Sequence, residues 1–357
     1  HSLSLRATTL PSVPDETEEP ARTNAPVFVV GCPRSGTTLL YHMLLSAGRF
    51  VRFRSETHVF NTLAPRFGGL RTAADRQLAL EVWLRSDNHQ LTTLSDDAVR
   101  SMITTECRHA GDFLRLIMEA MGARQGMPRW AETTPDHVLY MPQIRDQIPG
   151  ALFLHVVRDG RDVAASMARQ GWIRPLPAHR ERPALASAAY WQWVVERGRA
   201  AGTALGADYC EVRYEDLVDA PVDTLAKLGR FIGQPLDWDH IQRVGIGSVG
   251  KPNTSFPGAQ GGFKGRWRTE LPAADARDVD GMLARTLRTL GYESDSPGGG
   301  PLVALHASAY AWRFAARHWI KGHTPLGRRS TDLGFFAPGS MRVSDEKLRQ
   351  AMPDGGA

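Results

Sequence analysis

The stretch Val27-Phe28-Val29-Val30-Gly31-Cys32-Pro33-Arg34-Ser35-Gly36-Thr37-Thr38-Leu39-Leu40 constrains this chain more than any other. A continuous apolar run of this kind reads as a strand buried on both faces, the habit of parallel sheets. Gly31 to Gly36 turns the chain. Leu39, Leu40, Met43 and Leu44 then recur at helical spacing up to Gly48, which suits the position just past a helix end. A strand, a glycine turn and a helix in immediate succession aim backbone N–H groups and the positive end of the helix dipole into one small space, a cradle for an anion. Two glycines five residues apart open like a triphosphate-binding loop, but Thr37-Thr38 stands where Lys-Ser/Thr is required. Without that lysine, triphosphate hydrolysis is disfavoured, and Arg34 instead sets a guanidinium inside the loop, suited to a shorter anion.

A second buried strand, Ala151 to Val157, leads into Arg158-Asp159-Gly160-Arg161-Asp162-Val163-Ala164-Ala165-Ser166. Arg158 at the strand end and Ser166 two helical turns later fall where both reach one phosphate. The plain alternative is a surface cluster of Arg158, Asp159, Arg161 and Asp162. Two anion sites at the carboxyl ends of neighbouring parallel strands favour the first reading.

The rest of the chain keeps the alternation. One long helix is expected from Ser95, with Val99, Met102, Ile103, Ala110, Phe113, Leu114, Ile117 and Met121 on its buried face. A helix holding Tyr190 to Val195 closes at Gly206, Tyr209 to Tyr214 forms a third strand, and Pro221 to Ile232 forms a helix ended by Gly233. Residues 245–270 read as a long functional loop, 272–290 as a helix, and Val303 to Ile320 as an amphipathic helix that packs on the body, on a second subunit or on a membrane surface. The fold class expected is α/β, a parallel sheet flanked by helices. A polar tail over residues 1–25, one domain over 26–295 and an extension over 296–357 divide the chain.

Composition narrows the partners. The 357 residues carry 43 Lys+Arg and 38 Asp+Glu, a net +5 with no block of five like charges, which argues against nucleic acid and fits an anionic small molecule. Three scattered cysteines imply neither a disulfide framework nor a zinc site, and no metal-ligand cluster is expected. With no apolar run of about 18 residues and no secretory leader in the acidic opening segment, the expected setting is cytoplasmic, without an integral membrane segment. A homodimer is the default assembly.

PVFVVGCPRSGTTLL and FLHVVRDGRDVAAS resemble the two nucleotide-binding signatures of sulfotransferases that use 3′-phosphoadenosine 5′-phosphosulfate (PAPS), with the Pro-Arg-Ser-Gly-Thr-Thr form most similar to the bacterial and tyrosylprotein-type branch. The resemblance spans about residues 26–290. It implies a P-loop-like turn in which Arg34, Ser35, Gly36, Thr37 and Thr38 hold the 5′-phosphosulfate, while Arg158 and Ser166 hold the 3′-phosphate. It also implies that Tyr214, in Val212-Arg213-Tyr214-Glu215-Asp216, lies near adenine. Lys264, Gly265 and Arg266, in Phe263-Lys264-Gly265-Arg266-Trp267, would close over the 3′-phosphate, and Ser255 would face the donor.

Sulfuryl transfer is an in-line displacement, so positioning and charge stabilisation carry most of it, and Arg34 is the residue to absorb charge on the leaving phosphate. A base for a hydroxyl acceptor is still needed. Ser55-Glu56-Thr57-His58 offers two: Glu56, similar to the catalytic Glu-Thr pair of the tyrosylprotein branch, and His58. His109, His137 and His155 receive no role. Where relatives often carry a lysine before a Thr/Ser/Asp-Pro pair, this chain has Thr133, so Lys251, Lys264 or Arg34 alone must supply the charge. The acceptor expected is a small lipidic, glycosidic or aryl metabolite, in a pocket drawing on Phe60, Phe67, Trp83, Phe113 and Trp130. A peptide tyrosine is the variant within the family. The rivals are a nucleotide-dependent kinase on the same fold and an inactive nucleotide-binding module.

Overall fold

The computed structural model describes residues 22–249, 264–341 and 343–352. Its centre is a sheet of four parallel strands, Val27–Gly31 (β1), Ala131–Glu132 (β2), Leu152–Val157 (β3) and Tyr209–Arg213 (β4), in the order β2-β1-β3-β4. β1 and β3 pair from Val27 with Leu152 to Gly31 with Val156. Side chains alternate across a strand, and here both sets are apolar. Phe28, Val30, Phe153 and Val157 enter one core, while Val27, Val29, Leu152, Leu154 and Val156 enter the other.

Helices cover both faces. Thr37–Ser46 (α1) and Pro221–Ile232 (α7) lie over the second core. The first is covered by Asp96–Glu106 (α2), Ala110–Gln125 (α3), Gly160–Gln170 (α4), Pro183–Leu205 (α5) and Ala273–Thr289 (α8). Tyr214–Asp219 (α6) follows β4 directly. The C-terminal stretch adds Pro301–His323 (α9), Pro325–Ser330 (α10) and Asp345–Ala351 (α11). Tyr310, Phe314 and Phe336 from this stretch belong to the first core.

Three expectations need correction. The single helix from Ser95 is two, broken at Cys107-Arg108-His109. There His109 Nδ1 accepts the Asp112 N–H at 3.2 Å and Asp112 accepts the Arg108 N–H at 3.0 Å, a reciprocal cap that starts a new helix. β2, only two residues long, carries no periodic signal and was not anticipated. Within the stretch read as a loop to residue 270, Trp267–Glu270 is helical.

The site's second turn depends on a tight crossing behind it. Trp191 on α5 is fully buried, and a Cβ at Gly160, the first residue of α4, would meet its ring at 2.5 Å. Gly160→Ala is therefore expected to destabilise the protein by about 1–3 kcal/mol, read as a fall in the denaturant midpoint at unchanged slope.

Candidate active site

Two chain turns meet at the carboxyl ends of β1 and β3 and open on a cavity of about 560 Å³. Arg34 takes φ 73°, and Gly36, at φ 99°, caps α1 without a side-chain hydrogen bond. A Cβ at Gly36 would lie 2.3 Å from the Tyr214 ring, so only glycine lets the turn close there. Arg34, Gly36, Thr37 and Thr38 line the cavity. Ser35 does not; its hydroxyl is buried with no hydrogen-bond partner among the described residues.

The second turn brings its residues to the same place. Arg34 Nε donates to Ser166 Oγ at 3.0 Å, and an Arg158 guanidinium N–H donates to the Arg34 carbonyl at 3.3 Å. Arg158 also lies 4.6 Å over the Tyr214 ring. Burial lowers the Arg34 pKa, and the positive charges of Arg158 and Arg169 lower it further. Arg169, one turn beyond Ser166, lines the cavity and was not singled out from the sequence. Its place, three residues after Ser166 on α4, was the available signal.

Asp162 fastens the late segment beneath this cluster, accepting the N–H groups of Gly265 at 2.8 Å and Trp267 at 3.0 Å. Burial raises its pKa against those two bonds and Arg158. Arg266 lines the cavity and pairs with Glu270, whereas Lys264 pairs with Asp219 and is not in the cavity wall. Among the described residues no lysine lines the cavity, and Thr133 is buried with its hydroxyl unpartnered. Ser255, Lys251 and Phe263 lie outside the described residues.

Across the cavity, the two base candidates form one unit. Glu56 Oε2 lies 3.2 Å from His58 Nε2. Asn61 Nδ2 stands 3.2 Å from His58 Nδ1; with that amide donating, Nδ1 is the acceptor and Nε2 carries the proton toward Glu56. His58 sits in the left-handed region at φ 51°, and its ring stacks on Phe335 at 3.8 Å.

This segment hangs from a buried carboxylate that the sequence did not flag as a site residue. Glu132, at the end of β2, accepts Thr57 Oγ1 at 2.8 Å, Thr134 N at 3.0 Å, Thr134 Oγ1 at 2.5 Å and His137 Nδ1 at 2.9 Å. Thr134 Oγ1 in turn accepts the His58 N–H at 3.2 Å, and His137 Nε2 accepts the Phe60 N–H at 3.3 Å. Burial opposes the charge on Glu132, but His137 and the two threonine hydroxyls outweigh it and lower the pKa to about 2. His137 thus has a structural task that its isolation in the sequence concealed.

The apolar lining of the cavity differs from expectation. Phe60, Trp83 and Phe113 are fully buried in the core and form no part of it. Met167, Trp172, Ile173, Tyr190 and Phe335 form the wall, and Tyr190 donates to Asp136 at 3.1 Å.

Glu132 must be ionised for its network, and a depressed pKa gives stability that is present above the unfolded value and lost as pH falls through the folded one. Its contribution is therefore full above about 4.5 and disappears toward about 2. Glu132→Gln is expected to cost about 2–3 kcal/mol at neutral pH and to flatten the acid limb of a stability–pH curve in that window.

Residues 26–240, more than half of the chain, match the family model described as Sulfotransferase family. The protein-tyrosine sulfotransferase of Drosophila melanogaster is 28% identical over 235 residues, covering 64% of this chain but only 41% of that protein's length. Protein-tyrosine sulfotransferase A of Caenorhabditis elegans is 25% identical over 292 residues, covering 77% and 69%. The sulfotransferase domain from the Synechococcus PCC 7002 olefin synthase shares the fold, with a TM-score of 0.51 and 20% identity over 80% of this chain and 99% of that domain. The chain belongs to the sulfotransferase family.

Proposed function

We propose that this chain transfers a sulfuryl group from PAPS to the hydroxyl of a small lipidic, glycosidic or aryl acceptor. One observation carries the reading: the hydrogen bond from Arg34 to Ser166 joins the two phosphate-binding turns across β1 and β3, so both serve a single cavity that also contains Glu56. Its volume of about 560 Å³ suits a small-ligand site.

The residues present fit the donor. The uncapped N-terminus of α1, with Thr37, Thr38 and Arg34, suits a terminal sulfated phosphate, and Arg158 with Ser166 suits a second phosphate. Tyr214, packed against Gly36 and under Arg158, lines the cavity beside the place this reading gives the adenine. When bound, PAPS supplies the sulfuryl group and leaves as adenosine 3′,5′-bisphosphate. Arg34 stands where charge grows on the leaving phosphate. Glu56 takes the acceptor's hydroxyl proton as the acceptor oxygen joins sulfur, and the His58 Nε2–H bond keeps its carboxylate oriented. The four cavity arginines, Arg34, Arg158, Arg169 and Arg266, take the part that the absent lysine plays in relatives.

The wall of Trp172, Ile173, Met167 and Phe335 favours an apolar or aromatic acceptor. A peptide tyrosine is the second reading, supported by Glu56-Thr57 and by the names of the curated relatives.

Adenosine 3′,5′-bisphosphate at about 100 times its Kd is expected to stabilise the protein by about 2.7 kcal/mol without added metal, seen as a thermal shift. A shift with Mg-ATP alone would replace this reading with a kinase. Glu56→Gln is expected to lower kcat by about a hundredfold or more while bisphosphate affinity stays unchanged. Retained turnover in that variant would remove Glu56 as the base. Assays with phenolic and lipid hydroxyls beside tyrosyl peptides decide the acceptor class.

A further inference from the structure

The helix α9 presents apolar side chains on two faces. Inward, Tyr310 and Phe314 pack in the core, with Phe314 edge-on to Tyr190 at 5.2 Å. Outward, Leu302, Leu305, Trp312 and Trp319 stand at intervals of three and seven residues, so they form one stripe about 25 Å long. These are among the most exposed large apolar residues of the described chain, with Trp312 75% and Leu302 65% accessible, and Leu326 on α10 continues the patch at 71%. A contiguous apolar stripe of this size marks a surface that meets something.

Charge identifies what it meets. Between Pro301 and Ser330 there are five Lys/Arg residues and no Asp or Glu, and of the five Arg317, Arg328 and Arg329 are exposed. No described helix is long and apolar enough to cross a membrane. An exposed apolar stripe with two tryptophans, flanked by cations and free of acids, has the composition of a helix that lies in the interface of an anionic bilayer. A second copy of the chain fits poorly, because a two-fold contact through this face would bring its cations together with no carboxylate of its own to answer them.

We propose that the outer face of α9 and α10 docks on an anionic lipid surface. The helix is tied to the cavity wall through its middle, and the chain that follows it returns to the same wall. The Arg313 guanidinium donates to the carbonyl oxygens of Arg174 and Pro175, and the Leu176 N–H donates to Tyr310 Oη at 3.0 Å, directly after the wall residues Trp172 and Ile173. On the other side the chain runs from α10 into the turn that sets Phe335 over His58. A docked helix thus holds both segments of the acceptor wall next to the lipid.

The test is co-sedimentation of the full chain with vesicles of phosphatidylcholine containing about a third phosphatidylglycerol, beside vesicles of phosphatidylcholine alone. Partitioning at least about tenfold stronger to the anionic vesicles is expected, weakening with added salt. Trp312→Ala/Trp319→Ala is expected to reduce it by about tenfold or more, with the thermal midpoint unchanged because both rings are exposed. Absence of partitioning to anionic vesicles, or undiminished partitioning by the double variant, overturns the proposal. So does a solution mass that falls from dimer to monomer in the double variant without vesicle binding, which would assign the stripe to a second copy. Bisphosphate binding, measured separately, reports on the donor site alone.

Discussion

The parallel pairing of β1 with β3 is the constraint on which the site depends. Its last register pair, Gly31 with Val156, is so close that a Cβ at Gly31 would lie 2.5 Å from the Val156 carbonyl oxygen. A larger residue would push the strand ends apart, and with them the turns that follow. Because they stay together, the N-terminus of α1 and the first turns of α4 open on the same space, and Arg34 reaches Ser166. Half-buried Arg34 and Arg158 meet the uncapped N–H groups of α1, and the pKa of Arg34 is lowered by its burial first and by the nearby charges of Arg158 and Arg169 second. An N-terminus open toward two guanidinium groups is the kind of place that suits an anion.

The opposite wall is built by other means. Glu56 and His58 are carried on an irregular segment, which by itself fixes nothing to the precision that catalysis needs. Glu132 supplies the rigidity. Fully buried and ionised, it gathers donors from Thr57, Thr134 and His137, and the latter two hold the backbone N–H groups of His58 and Phe60. A carboxylate this deep is tolerable only because each oxygen is answered. The wall of the two turns is therefore set by backbone geometry and the wall of Glu56 and His58 by a network of side chains.

This difference explains what the sequence discloses. β1, β3 and their turns are legible because a strand buried on both faces is a continuous apolar run and each turn is punctuated by glycine. Arg34, Arg158 and Ser166 could be placed together from that pattern. β2 is two residues beside a threonine-rich turn, too short for any period, so Glu132 passed unnoticed although its neighbour Thr133 drew attention. The break between α2 and α3 was hidden because histidine is an uncommon cap. Phe60, Trp83 and Phe113 were expected in a pocket and lie in the core, since an aromatic residue at helical spacing carries no mark of which it will join. Phe335 meets His58 only through tertiary folding, and nothing local in the sequence announces it.

The cavity draws on two parts of the chain. Arg34, Arg158, Ser166, Tyr214, Glu56 and His58 fall within the residues that match the family, whereas Phe335, α9 and α10 fall beyond them. The C-terminal stretch is not an appendage resting on a finished domain. Phe336 packs near Trp83 at 6.2 Å, and Asp87 accepts the N–H groups of Gly339 at 2.9 Å and Met341 at 2.8 Å. These bonds hold the turn bearing Phe335 against the cavity, and the helix that leads into it presents its outer stripe to solvent. The two turns and the Glu56–His58 pair thus rest on the part of the chain that matches the family. Of the apolar wall, Met167, Trp172, Ile173 and Tyr190 lie within that part too, and the C-terminal stretch adds Phe335 and the exposed stripe of α9.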